Sequence, residues 1–361
     1  MTLLFADGFE GYLGGGDRTV LDPIYDYYRV DPEFAGVETS AIIPGRVTGK
    51  CAWIYGSLVP TIFNDIYGHQ LDVSALSSST TWILGYAFMA YNVNDVGSTG
   101  SVEFRDSAGD AMVTVYVAGG NINVKSGSRN SATKIGFGSA RVLSDVWHYL
   151  EIKVTFSVTS GAVVVRLDEE IVLSASGVTA PTGSGDTKPT IIMFGGGYRL
   201  YYMLTDDVYI ADDQGSINND FLGDIGIRRL DPTSNGTNND FTPLAGDNFA
   251  AVNQDDPDGD TTYVESSTVD HYDLYVIDDA PTGMATINAL QVVSTGKSDD
   301  GNPKGGRNMV LSSATEGLGP TYALTSSYVP YLSIHETDPN GGAAWTEAGV
   351  NAAEIGVEVV S

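Results

Sequence analysis

The stretch Val146-Trp-His-Tyr-Leu-Glu-Ile-Lys-Val-Thr-Phe-Ser-Val158, followed after Thr159-Ser-Gly161 by Ala162-Val-Val-Val-Arg-Leu-Asp-Glu-Glu-Ile-Val-Leu173, decides the fold class. Apolar and polar side chains alternate through most of it, the period of a strand with one buried face. Trp147, Tyr149, Ile152, Val154 and Phe156 are candidate core positions, and a slip of phase near Leu150 predicts a bulge. The second segment reads as a hairpin with Asp168-Glu169 at its tip.

The same pattern extends outward in both directions. Ser101-Val-Glu-Phe-Arg-Asp and Ala111-Met-Val-Thr-Val-Tyr-Val alternate, and Asp106-Ser-Ala-Gly-Asp between them is a turn. Gly120-Asn-Ile-Asn-Val-Lys-Ser-Gly and Arg199-Leu-Tyr-Tyr-Met-Leu-Thr-Asp-Asp-Val-Tyr-Ile-Ala-Asp212 add further strands, giving at least eight before residue 212 and no long helix. A chain with 43 Gly and 20 Tyr but 18 basic residues is poor material for long surface helices.

In their order along the chain, Phe5-Ala-Asp-Gly-Phe-Glu10, Trp147-His-Tyr-Leu-Glu-Ile-Lys-Val154, Val165-Arg-Leu-Asp-Glu-Glu-Ile-Val-Leu173 and Thr205-Asp-Asp-Val-Tyr-Ile-Ala-Asp212 resemble the concanavalin A-like (laminin-G-like) jelly roll of tailed-bacteriophage structural proteins. The resemblance covers about residues 1–215 and implies two antiparallel sheets packed face to face, with first and last strands paired. Phe221-Leu-Gly-Asp through Asp256-Pro-Asp-Gly-Asp-Thr-Thr-Tyr-Val264, with Ala343-Ala-Trp-Thr-Glu-Ala348, resembles the C-terminal half of those proteins. It implies a virion structural role and no chemistry.

The fold expected is therefore all-β, with two antiparallel β-sandwich or jelly-roll domains: residues 1–215, concanavalin A-like, and an acidic domain over 216–361. The polar segment Asp212-Asp-Gln-Gly-Ser-Ile-Asn-Asn-Asp-Phe-Leu-Gly-Asp224 marks the joint; if Phe221–Leu230 completes the first sandwich, the split moves toward residue 230. One short helix is expected after Thr346 as N-cap.

Forty-six acids against 18 bases give a formal charge of −28, and residues 205–300 alone hold 20 acids and 3 bases. A field of that sign disfavours nucleic acid and anionic membrane surfaces as partners. A lone cysteine, Cys51, excludes an intrachain disulfide and thiolate metal clusters; beside Trp53 and Ile54 it reads as a small buried hydrophobe. No apolar run reaches the roughly 18–20 residues of a membrane span, and Met1-Thr-Leu-Leu-Phe-Ala-Asp-Gly8 lacks the basic start of a secretion signal.

Jelly-roll glucanases need two acids suitably spaced on one strand face. Glu151 stands beside Lys153, reading as a solvated strand face; Asp206 and Asp207 are adjacent and should point to opposite faces; Asp168, Glu169 and Glu170 lie in a turn. His69, His148, His271 and His335 are scattered, and His148 is expected to face away from the core. Gly14–Gly16 and Gly195–Gly197 lack the ending of a phosphate loop. The expectation is thus not an enzyme, with no catalytic or cofactor-binding residues.

Two sites stay open. Asp256, Asp258 and Asp260, around Gly259, form either a bare acidic turn or a calcium site, calcium being the one cofactor considered and none being required. Tyr198, Tyr201 and Tyr202, beside Gly195–Gly197, are either strand and interface filling or a carbohydrate platform. The main expectation is a structural or decoration component of a tailed-phage particle, on capsid or tail, folded in the host cytoplasm and partnered by other virion proteins and copies of itself. A carbohydrate-binding adhesin or tail-tip receptor-binding protein contacting host-surface glycans is the alternative, and a polysaccharide hydrolase the third.

Overall fold

Leu84, Tyr86 and Phe88 alternate with Ile83, Gly85 and Ala87 along one ten-residue strand, and this alternation sorts the first part of the chain into two layers. The computed structural model describes residues 2–9, 26–28, 40–44, 46, 50–55, 68–90, 93, 98–131, 133–181, 183–196, 202–254, 257–299 and 304–361. The chain divides into two compact units, Thr2–Ile227 and Arg228–Ser361.

The first unit holds strands β1 (Leu3–Asp7), β2 (Asp26–Tyr28), β3 (Ser40–Pro44), β4 (Lys50–Tyr55), β5 (Gly68–Asp72), β6 (Thr81–Ala90), β7 (Ser98–Arg105), β8 (Ala111–Ala118), β9 (Asn121–Ser126), β10 (Lys134–Arg141), β11 (Trp147–Thr155), β12 (Gly161–Leu167), β13 (Glu170–Gly177), β14 (Ile191–Gly196) and β15 (Tyr202–Asp212). An eight-stranded antiparallel sheet runs β13-β12-β11-β6-β15-β4-β3, with β1 on β15, and a seven-stranded sheet runs β10-β9-β8-β7-β14-β5-β2. Pairing of β1 with β15 joins the start of the unit to its last strand, as the resemblance implies. Between the layers Tyr86 meets Phe194 edge-on at 5.6 Å and Phe104 meets Phe156 at 5.6 Å.

β11 pairs with β6 in unbroken register from Trp147 to Thr155, so the expected bulge near Leu150 is absent. The aromatic at 149 suggested a slip, yet Tyr149 belongs with Glu151 on the outer face, and Leu150, Ile152 and Val154 carry the core alternation. The irregularity lies in β15, where Asp206 and Tyr209 oppose Ala87 and Gly85. Two residues thus stand against Tyr86 alone, and Asp207 takes φ 48°.

The second unit comprises β16 (Pro232–Asn239), β17 (Thr242–Pro243), β18 (Val264–Glu265), β19 (Tyr272–Ile277), β20 (Leu290–Gly296), β21 (Gly305–Ser312), β22 (Thr315–Leu318), β23 (Tyr322–Ala323), β24 (Val329–His335), α1 (Glu347–Asn351) and β25 (Glu354–Val359). A six-stranded sheet runs β16-β19-β25-β21-β22 with β23 on β21, and β20 pairs with β24. Buried Asn308 of β21 donates to Val292 O at 3.0 Å and Tyr331 O at 2.9 Å, tying that pair of strands to the sheet. Ile277, Val292, Val310, Trp345 and Val350 form the core. Thr346 caps α1 through the Gly349 amide, as the sequence predicts. Among the described residues α1 is the single α-helix, and no helix is long and apolar enough to cross a membrane. The fold is all-β with antiparallel sheets in a jelly-roll sandwich.

Candidate functional site

Both outer faces of the first unit carry polar side chains, and they are used differently. Over the eight-stranded sheet, the chain after β15 forms a strap, residues 216–227. Its Gly223 amide donates to Glu151 Oε1 at 2.9 Å, its Leu222 amide to Tyr209 Oη at 3.1 Å and its Ile227 amide to Asp207 Oδ1 at 2.7 Å. Arg166 forms an ion pair with Glu151 at 3.1 Å and lies over the Phe221 ring at 5.1 Å. Glu151 is therefore not on a solvated face; it is 1% exposed beneath the strap.

The bulge also overturns the expected divergence of Asp206 and Asp207. Both carboxylates turn to Arg46, whose amide donates to Asp206 Oδ2 at 2.9 Å and whose guanidinium pairs with Asp207 at 2.9 Å. Burial and the Asp207 charge push the Asp206 carboxyl up to about 7. His148 likewise does not face outward. Its ring packs 5.8 Å from Phe88, Nδ1 bonds Asp168 at 2.7 Å and Nε2 accepts from the Leu143 amide at 3.0 Å. The carboxylates of this cluster are thus held in ion pairs and hydrogen bonds by Arg46, Arg166, His148 and the strap.

The outer face of the seven-stranded sheet is different. Register places Gln70, Met193, Glu103, Thr114 and Lys125 in one row across β5, β14, β7, β8 and β9. A second row runs Gly195, Ser101, Tyr116, Asn123 and Phe137. Burial deepens inward, from Phe137 at 54% exposed to Glu103 at 3%. Arg105 donates from Nε and Nη2 to Glu103 Oε2 at 2.9 and 2.6 Å, while Thr114 Oγ1 stands 3.2 Å from Oε1.

The loop after β9 folds onto this face. Lys125 Nζ donates to Ser131 O at 2.7 Å, and the Arg129 guanidinium lies 5.7 Å from the Tyr116 ring centre. Burial raises the Tyr116 phenol, opposed by Arg129; burial lowers Arg129, opposed by Tyr116 and Glu103. Ser101 Oγ and Gln70 Oε1 are buried atoms with no hydrogen-bond partner among the described residues. Polar atoms left this way on a face rich in donors and acceptors suit a polar ligand. The signal was present in Ser101-Val-Glu-Phe-Arg105, whose alternation sets three polar residues on one face of what becomes a central strand.

Of the residues singled out from sequence, Asp256 lies outside the described residues. Asp258 accepts from the Thr262 amide and hydroxyl, and Asp260 pairs with Lys297 at 2.6 Å and accepts from Tyr328 Oη at 2.8 Å. Among the described residues no three His, Cys, Asp or Glu side chains gather as a metal site. Tyr198 and Tyr201 lie outside the described residues, and Tyr202 opens β15.

The chain matches no protein-family model and no curated protein. Among solved structures, its fold is similar to a GH131 β-glucanase catalytic domain from Podospora anserina, at 12% identity over 60% of this chain and 98% of that one, TM-score 0.39. The alginate lyase Aly36B matches at 10% identity over 59% and 98%, TM-score 0.35. A carbohydrate esterase from Shiga toxin-encoding bacteriophage phi24B matches at 12% over 58% and 98%, TM-score 0.38. The expectation that the chain is not an enzyme is accordingly withdrawn, because the solved structures similar to its sandwich are carbohydrate-active proteins. That expectation rested on seeking a carboxylate pair by strand spacing, whereas the polar face here is assembled across neighbouring strands. At such identities the likeness concerns architecture, and the side chains must carry any statement on chemistry.

Proposed function

We propose that the first unit is directed at carbohydrate, with a saccharide lying across the outer face of the seven-stranded sheet. One observation carries this reading: among the described residues, Ser101 Oγ, two positions from Glu103, and Gln70 Oε1, in the row of Glu103 and Thr114, are buried without a hydrogen-bond partner on a sheet face that the core does not use. An unmade buried hydrogen bond costs about 1–3 kcal/mol, which a polar ligand would relieve. Sugar hydroxyls both donate and accept, and the exposed Phe137 ring with half-buried Tyr116 offers faces for pyranose stacking.

Within the same proposal the chain serves as a glycan-contacting adhesin of a tailed-phage particle, partnered by virion proteins and by copies of itself. What supports this placement is the order of strand motifs along residues 1–215. The test is a glycan and polysaccharide panel read for saturable binding and for release of new reducing ends. Binding that Phe137→Ala and Tyr116→Ala each weaken about tenfold, with the melting temperature kept, supports the reading. A panel without a ligand overturns it.

A further inference from the structure

We infer that the saccharide is anionic, its carboxylate or sulfate groups met by bases on the β8–β10 side of the groove. The inference rests on the carbohydrate reading above. Its ground is an inversion of charge. The chain as a whole is at −28, yet residues 98–142 carry five bases and three acids. Four of those bases belong to the polar face: Arg105, Lys125, Arg129 and Lys134. Glu103 is the one acid of residues 98–142 within the two rows, and Arg105 already neutralises it. At the far edge of the sheet Asp26 of β2 pairs in register with Gln70 of the first row, the second row continues to Gly68 and Tyr28, and Asp72 closes β5.

The bases are also placed as sugar recognition would use them. Lys134 Nζ lies 4.4 Å from the Phe137 ring centre, and Arg129 stands against Tyr116. An acid group on a pyranose ring stacked at Phe137 or Tyr116 would fall within reach of the neighbouring cation. Lys and Arg can donate to neutral hydroxyls as well, but a carboxylate or sulfate forms charge-assisted bonds with them that are roughly twice as strong. The rows span six strands from β5 to β10, roughly 24 Å at ordinary strand spacing, enough for a short oligosaccharide. The acidic remainder of the chain does not prevent this, because at physiological ionic strength charges beyond about 8 Å are screened.

The experiment uses the full chain and polymers that share one backbone: dextran, carboxymethyl-dextran and dextran sulfate, together with polygalacturonate, hyaluronan and single-stranded DNA. Saturable binding to a carboxylated or sulfated glycan, at least tenfold tighter than to any neutral polymer, is expected. Arg129→Ala and Lys134→Ala should each weaken it severalfold, and Lys134→Glu, an exposed reversal that leaves folding intact, should abolish it. The carboxylated and sulfated arms show which acid group is read. Equal affinity for neutral polymers would overturn the anionic assignment and keep the carbohydrate reading. DNA binding as tight as polysaccharide binding would overturn the assignment in favour of non-selective charge, and no binding at all would remove both.

Discussion

Tyr209 donates its hydroxyl proton to Glu151 at 2.6 Å while its ring occupies the space directly above Gly85. A Cβ added at Gly85 would stand 2.0 Å from Tyr209 Cε1, and the ring cannot retreat because the strap holds its oxygen through the Leu222 amide. Gly85→Ala is therefore expected to destabilise the first unit by about 1–3 kcal/mol or more, in the range of overpacked cores. Urea denaturation measures this. Tyr209→Phe in the Gly85 background should cost about 1–3 kcal/mol by removing the acceptor of the Leu222 amide and one of the donors to Glu151, which keeps Gly223 and Arg166, without steric conflict.

The Asp206 carboxyl supplies a pH dependence of definite sign. Its folded value near 7 lies above the unfolded value, so the folded state holds the proton more tightly. Stability from this group is full below about pH 4 and declines as pH rises toward 7, beyond which the slope vanishes. Other acids add their own slopes, so the difference between wild type and Asp206→Asn is the quantity to measure. Their melting temperatures should diverge between pH 4 and 7, wild type losing ground with rising pH relative to the variant; parallel curves would refute the assignment.

At the β12–β13 hairpin, Asp168 and Glu169 have φ 51° and 69°, a two-residue turn of the kind that matches strand twist. Asp168 also accepts from the Tyr149 amide at 2.9 Å and bonds His148. Asp168→Ala should cost about 1–3 kcal/mol through those lost bonds and the left-handed backbone. Glu169→Gly should be neutral or slightly stabilising, because its turn role is conformational. Thermal melts of the two variants separate the roles.

Much of the architecture was legible in local patterns. Alternation in Val146–Leu173 reads through to β11, β12 and β13, the Asp168-Glu169 tip is where the sequence placed it, and Thr346 caps α1. What was hidden depends on strands meeting at a distance. Tyr149 looks like core because it is aromatic, but its partners are Arg46 and the β15 bulge at Asp207, residues far away in sequence. The opposition of Asp206 and Asp207 assumed an unbroken strand, and a bulge cancels it. The polar face over Glu103 was spelled in one strand, but its meaning required knowing that β7 lies at the centre of a sheet.

Calcium at the acidic turn would have to compete with Lys297, which already pairs with Asp260. Calorimetric titration of wild type and Lys297→Met should show tighter Ca²⁺ binding in the variant, by severalfold, since the competing cation is gone. Absence of heat in both proteins would remove calcium from the account.

The strap has a mechanical meaning. Ile227, the last residue of the first unit, is fastened to Asp207, and Gly223 to Glu151, immediately before the second unit begins at Arg228. Tension applied through the second unit would reach Ile227 first and load the strap's separate bonds to Asp207, Glu151 and Tyr209, which can yield one at a time, before it pulled directly on the end of β15. The sandwich thus has a sacrificial fastening in series with its tether, able to yield and re-form while the seven-stranded sheet on the opposite side keeps its shape.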